Sequence, residues 1–105
     1  MTRLSRPNKY RAVKTNVDGM SFDSKAEARY YQQLKLRVIC GDVKYFLTQV
    51  PIRLPGGTVY RADFQEFHKD GSVHYVDVKG VQTQVFKIKK REIEALYPIK
   101  IEVVK

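Results

Sequence analysis

Tyr75-Val76-Asp77-Val78-Lys79-Gly80 reads as a valine-rich strand closed by a glycine, and the rest of the fold can be placed around it. Period-two alternation sends Asp77 and Lys79 to one face and Val76 and Val78 to the other. Alternating charges on the wet side of a half-buried strand are common and need no function. The same pair also suits divalent-cation chemistry at a phosphate: the carboxylate holds a hard cation, and the ammonium orients a water or offsets charge. The neighbouring elements bear on which reading applies.

Immediately upstream, Val59 to Phe67 forms a second strand in which Asp63 is a lone acid within Val59-Tyr60-Arg61-Ala62-Asp63-Phe64. With Ser72 to Lys79 it makes a hairpin around Lys69-Asp70-Gly71. Register decides whether the two aspartates meet. A two-residue Asp70-Gly71 loop pairs Asp63 with Val78 and puts the carboxylates on opposite faces. A loop one residue longer, with Gly71 as a bulge residue, pairs Asp63 with Asp77. A shared site requires the longer loop, a bulge or a bend beside Asp63.

Further outward, Asp23 and Ser24 are candidate caps for a helix running to about Ile39, with Gly41 as its stop. Tyr31, Leu34 and Val38 form its apolar stripe, and one turn back from Tyr31 lies Glu27, on the core side or its edge. Glu27 also fits a capping box with Ser24, which needs no catalysis. Val43 to Thr48 and Val50 to Leu54 are β-rich but split by Pro51, which marks an edge strand or a bend. After Gly80, Thr83 opens a second helix in which Phe86, Ile93 and Leu96 or Tyr97 can pack, ended by Pro98. Ile99 to Val103 alternates as a last strand, returning to the sheet by a right-handed crossover. The expected class is α/β: a central mixed β-sheet flanked by helices, in the order α-β-β-β-α-β. It forms a single domain over residues 18–105 behind a basic N-terminal arm at residues 1–17.

The chain has 105 residues, with 20 Lys and Arg against 11 acids and a formal charge of +9. That balance favours a polyanionic partner. Cys40 is the only cysteine, so an intrachain disulfide is excluded. The first residues lack the apolar run of a signal peptide, and nothing approaches membrane-spanning length, so a cytoplasmic protein with no membrane partner is expected. His68 and His74 flank the hairpin turn and read as surface or hairpin residues, too few for a zinc site with one remote cysteine.

In order and spacing, Glu27, Asp63, Asp77 and Lys79 resemble the active-site pattern of the PD-(D/E)XK nuclease superfamily, which has the restriction-endonuclease-like core. Asn8-Lys9-Tyr10, Phe22 to Ala28 and Val76 to Gly80 further resemble segments of small phage proteins of uncharacterised function. Ala62 stands where the superfamily's nominal proline would be. The resemblance implies a metal-dependent endodeoxyribonuclease acting on phosphodiester bonds, in which Asp63 and Asp77, the Val78 carbonyl and Glu27 would hold Mg²⁺, with Mn²⁺ able to substitute. Lys79 would steady the attacking water or the charge of the phosphorane. It also implies a setting in phage replication, recombination or packaging.

DNA contact falls to cations outside this cluster: Arg3, Arg6, Lys9, Arg11 and Lys14 of the arm, Arg53 and Arg61 by the strands, and Lys87, Lys89, Lys90 and Arg91 on the second helix. The arm could equally be a solvated terminus, and the helix run a solvated face. Lysines and arginines on phosphates position a duplex without reading it, so shape, as at a flap or Holliday junction, is the expected determinant. A homodimer would present two sites to opposite strands, with Tyr10, Tyr45 or Tyr60 as exposed contacts. A non-catalytic basic nucleic-acid-binding protein and a phage assembly or accessory protein remain the other readings.

Overall fold

A computed structural model describes residues 14–105. The elements run β1 (Thr15–Val17), β2 (Met20–Phe22), α1 (Lys25–Cys40), β3 (Val43–Arg53), a 3-10 turn (Pro55–Gly57), β4 (Val59–His68), β5 (Val73–Val78), α2 (Gln84–Leu96) and β6 (Ile101–Val104). β3-β4-β5-β6 lie in that order in one sheet, antiparallel except for the parallel pair β5 and β6. The α/β class and the mixed sheet with two helices agree with expectation.

Ahead of that core, β1 and β2 form a small hairpin that alternation does not disclose in such short strands. Asp18 and Gly19 both have positive φ (55° and 77°), the backbone of a two-residue turn that matches strand twist. Thr15 to Val17, expected within an extended arm, are therefore a strand. The rest of the arm to position 13, including Arg3, Arg6, Lys9, Arg11 and Tyr10, lies outside the described residues. Lys14 is described, and it pairs at 3.4 Å with Asp23, both side chains exposed.

Ser24 caps α1 by accepting the Glu27 amide at 3.1 Å, and Gly41 ends the helix at φ 88°. The stripe Ala28, Tyr31 and Leu34 packs with Phe22, Val43, Phe64, Val76 and Val78 into a first core. Leu34 is fully buried there. Leu34→Ala is expected to lower unfolding free energy by roughly 2–5 kcal/mol, read from urea denaturation midpoints, because lost transfer and the cavity left behind add. A second core joins Tyr60, Ala62, Leu54 and Ile101 to Phe86 and Ile93 of α2. Leu96 and Tyr97 do not complete that face. Leu96 is exposed and Tyr97 partly so, its hydroxyl donating to the Arg53 carbonyl at 2.5 Å.

The two cores lie on opposite faces of the sheet, and strand parity breaks between them. Phe64 packs on the α1 side, whereas Ala62 and Tyr60 pack on the α2 side, although all three share parity. β3 does the same: Phe46 packs with the first core, Val50 and Ile52 with the second. Between them Gln49 has φ 53°, a rare conformation for a residue other than glycine. The paired strands thus roll over together at Gln49 and Asp63. Pro51 sits in β3, the edge strand, as expected, and β3 continues through it to Arg53.

Glu66, beyond the roll, is buried and accepts from the Tyr30 hydroxyl at 2.5 Å, with His68 Nε2 at 2.8 Å and Arg37 at 3.7 Å. Burial first, and Glu66 next, push the Tyr30 hydroxyl well above its usual pKa. His68 and His74 stand in the hairpin as expected, their rings 4.1 Å apart, with His74 Nδ1 2.5 Å from Glu102. Tyr60 is buried and Tyr45 exposed, so of the three tyrosines proposed for a dimer contact, Tyr60 is not at the surface.

Candidate active site

The hairpin register is the one that brings the aspartates together. Phe64 pairs with Val76, Gln65 with Tyr75 and Phe67 with Val73, which places Asp63 opposite Asp77. The loop is Lys69-Asp70-Gly71: the Gly71 amide donates to the His68 carbonyl at 3.0 Å, the His68 amide to Ser72 at 2.9 Å, and Gly71 has φ 91°. A glycine enters that left-handed region without steric cost, which is how the extra residue fits.

Backbone pairing between β4 and β5 then stops, and the two side chains take over its work. The Asp63 amide donates to Asp77 Oδ1 at 2.8 Å, and the Val78 amide donates to Asp63 Oδ2 at 2.9 Å. Strands held apart by two reciprocal carboxylates leave a polar gap inside the sheet. Asp77 is fully buried, and its Oδ2 has no hydrogen-bond partner. An orphaned carboxylate oxygen at such depth is costly unless something supplies positive charge.

Glu27 reaches the same gap from the first turn of α1. It is buried, and its Oε2 accepts from Gln49 Nε2 at 2.8 Å, a bond to the edge strand that a simple capping box would not make. Burial, then the charges of Asp63 and Asp23, push its carboxyl up to about 7, while Lys79 pulls the other way. Asp63 is raised mainly by burial, against the Val78 amide, Lys79 and Gln49. Asp77 is raised by burial, against the Asp63 amide and Lys79. Three acids thus share one region of strong desolvation and one cation.

Lys79 lies just past the end of β5, its amide held by the Val104 carbonyl at 2.8 Å and its Nζ 5.2 Å from the centre of the Phe86 ring. Among the described residues it forms no ion pair, so its charge is felt by Glu27, Asp63 and Asp77 without being tied to any of them. Val78 contributes its amide to Asp63. Among the described residues, no three acids, histidines or cysteines are placed together so as to hold a metal ion.

Gln49 was not expected here. Its amide carries no charge and belongs to no motif, and the available signal was the interruption of strand alternation just before Pro51. Asp23, expected only as a cap, adds negative charge to Glu27 and Asp63 from the rim. Of the expected DNA contacts, Arg61 lines a groove with Lys79 and Lys89, whereas Lys87, Lys90 and Arg91 line a separate one with Glu94. Lys90 is paired with Glu94 at 3.1 Å. Arg53 ends β3 and is exposed.

These features define a small basic α/β protein with a buried carboxylate cluster at a break in its sheet. The chain belongs to the family described as protein of unknown function (DUF1064), whose family model matches residues 7–104. Comparison with curated proteins and with solved structures finds no match. No helix among the described residues is long and apolar enough to cross a membrane.

Proposed function

We propose that this protein is a metal-dependent endodeoxyribonuclease of the PD-(D/E)XK type, on a restriction-endonuclease-like core, that hydrolyses phosphodiester bonds of branched or otherwise irregular DNA. The observation that carries the reading is the convergence of Glu27 from α1, Asp63 from β4, and Asp77 and Lys79 from the end of β5 on one gap in the sheet. The oxygen donors fit a hard divalent cation: Asp77 Oδ2 is buried and unpartnered, and all three carboxyls are raised chiefly by burial, which a bound cation would offset. Asp63 and Asp77 would hold Mg²⁺ or Mn²⁺, with Glu27 beside them. Bound there, the ion would polarise a phosphate oxygen and acidify an attacking water.

The chain's own residues supply the rest. Lys79, free of ion pairs among the described residues, stabilises negative charge that grows on the phosphate oxygens in the transition state. Glu27, its carboxyl pushed up to about 7 chiefly by burial, can hold or release a proton as the nucleophile forms. Gln49 fixes the carboxylate of Glu27, and the Asp63 and Val78 amides fix those of the aspartates, so reorganisation on reaction is small.

One observation favours a second reading. Two of the four aspartate oxygens are already satisfied by backbone amides, as purely structural acids would be, and a non-catalytic nucleic-acid-binding protein would keep them for that purpose. Labelled four-way junction, flap, linear duplex and single-stranded DNA, incubated with Mg²⁺, Mn²⁺ or EDTA, separate the two. The nuclease reading expects cutting only with metal, reduced about 100-fold or more in Lys79→Ala, as for loss of one transition-state donor. Binding without cutting under every metal condition would overturn it.

A further inference from the structure

The groove next to Lys79 is lined by Tyr60, Arg61, Thr83, Phe86 and Lys89, with Val59, Val81 and Val85 as its apolar wall, and measures about 330 Å³. Three of its side chains are cationic and none is acidic. Arg61 and Lys89, like Lys79, make no ion pair among the described residues. At one end stands the start of α2, a 13-residue helix capped by Thr83, whose first amides and dipole favour an anion. Independently of that helix end, Tyr60 is 6% exposed, and its hydroxyl is buried with no hydrogen-bond partner. Tyr60 lines this groove, with its ring against Phe86, centroids 6.3 Å apart.

We infer that this groove is a phosphate subsite, separate from the carboxylate gap, that takes a second phosphate of the bound strand on Arg61, Lys89, the Tyr60 hydroxyl and the first turn of α2. The inference rests on the nucleic-acid reading above and deepens it. Lys79 borders both the groove and the acids, so a strand seated here would present one phosphate to the acids and a neighbouring phosphate to the groove. The phosphate held is either a strand's terminal monoester or the next diester along; the chemistry of recognition is common to both. The apolar wall of Val59, Val81 and Val85 gives the sugar a surface to lie on, which the solvated lysines on the other side of α2 do not offer.

The test is performed in EDTA, where no cleavage occurs, so that failure of the nuclease reading and failure of the subsite are distinguishable. Amide chemical shifts are followed as inorganic phosphate is titrated into the wild type, Tyr60→Phe, Arg61→Ala, Lys89→Ala and the remote control Lys44→Ala. Saturable shifts confined to Thr83–Phe86 and Tyr60–Arg61 are expected, with affinity at least 5-fold weaker in Arg61→Ala and Lys89→Ala, measurably weaker in Tyr60→Phe, and unchanged in the control. A short oligonucleotide with a 5′-phosphate, a 3′-phosphate or neither then distinguishes the sources: preference for a phosphorylated end assigns a terminal monoester, and equal binding assigns an internal diester. Shifts spread evenly over Lys87, Lys90 and Arg91, or equal affinity in all four variants, would overturn the inference.

Discussion

If the proposed nuclease reading holds, Asp77→Asn is expected to lower DNA cleavage by on the order of 10³-fold or more, because the substitution would remove a metal-binding charge worth several kcal/mol in the transition state. Binding and fold should survive. The asparagine carbonyl can still accept the Asp63 amide in place of Oδ1, and the site loses the negative charge of a buried carboxylate whose Oδ2 has no hydrogen-bond partner. Turnover on the preferred substrate, affinity for the same substrate in EDTA, and far-ultraviolet circular dichroism together check this. Retained cleavage would remove Asp77 from the chemistry. Equal loss of cleavage and binding would make it a structural acid.

The second large effect is on stability against pH in metal-free protein. The Glu27 carboxyl rises from 4.5 to about 7 on folding, so the folded state holds its proton more tightly than the unfolded state does. The sign follows: the Glu27 contribution is most favourable below pH 4.5 and is lost as pH rises to about 7. At about 1.36 kcal/mol per pKa unit, the loss is on the order of 3 kcal/mol. Asp63 and Asp77, also raised, act in the same direction. Urea unfolding in EDTA between pH 4 and pH 8 should show stability falling across this window. Glu27→Gln should flatten the fall and be more stable than the wild type at pH 8, since the amide can keep a hydrogen bond to Gln49 without the charge. Adding Mg²⁺ at pH 8 should stabilise the wild type in proportion to the logarithm of its concentration, and Asp77→Asn much less. An unchanged slope in Glu27→Gln would mean that the glutamate is not held charged in this gap.

Much of this arrangement is legible in the sequence, and the exceptions have physical causes. The valine-rich strand, the cap at Ser24 and the stop at Gly41 are local signals, and local chemistry decides them. The hairpin register is not local in this way: Asp70-Gly71 suits a two-residue and a three-residue loop alike, and the choice between them moves every side chain of β5 to the other face. The structure takes the longer loop. Pro51 drew attention to β3, yet on an edge strand a missing amide need break nothing; the true break is at Gln49, and a glutamine gives no warning that it will adopt positive φ. The small hairpin at Asp18-Gly19 escaped because three-residue strands are too short to show a period. Its turn is fixed from outside, with Asp18 accepting the Tyr31 hydroxyl at 2.9 Å and pairing with Lys35. Leu96 has the spacing of a core residue, but α2 buries only Phe86 and Ile93 against the sheet.

The roll of β3 and β4 at Gln49 and Asp63 has a bearing on how this protein can be altered. Odd-even numbering along β4 is a valid guide to which side a residue serves only within each half of the strand, and it inverts on crossing Asp63. A surface redesign that treated Val59–His68 as one regular ribbon would swap inner for outer positions in half of it. The same inversion makes the two halves separable: a library varied on Tyr60, Ala62 and Ile52 explores one interior, and a library on Phe64, Phe46 and Val76 explores the other, with the acids standing at the frontier between them.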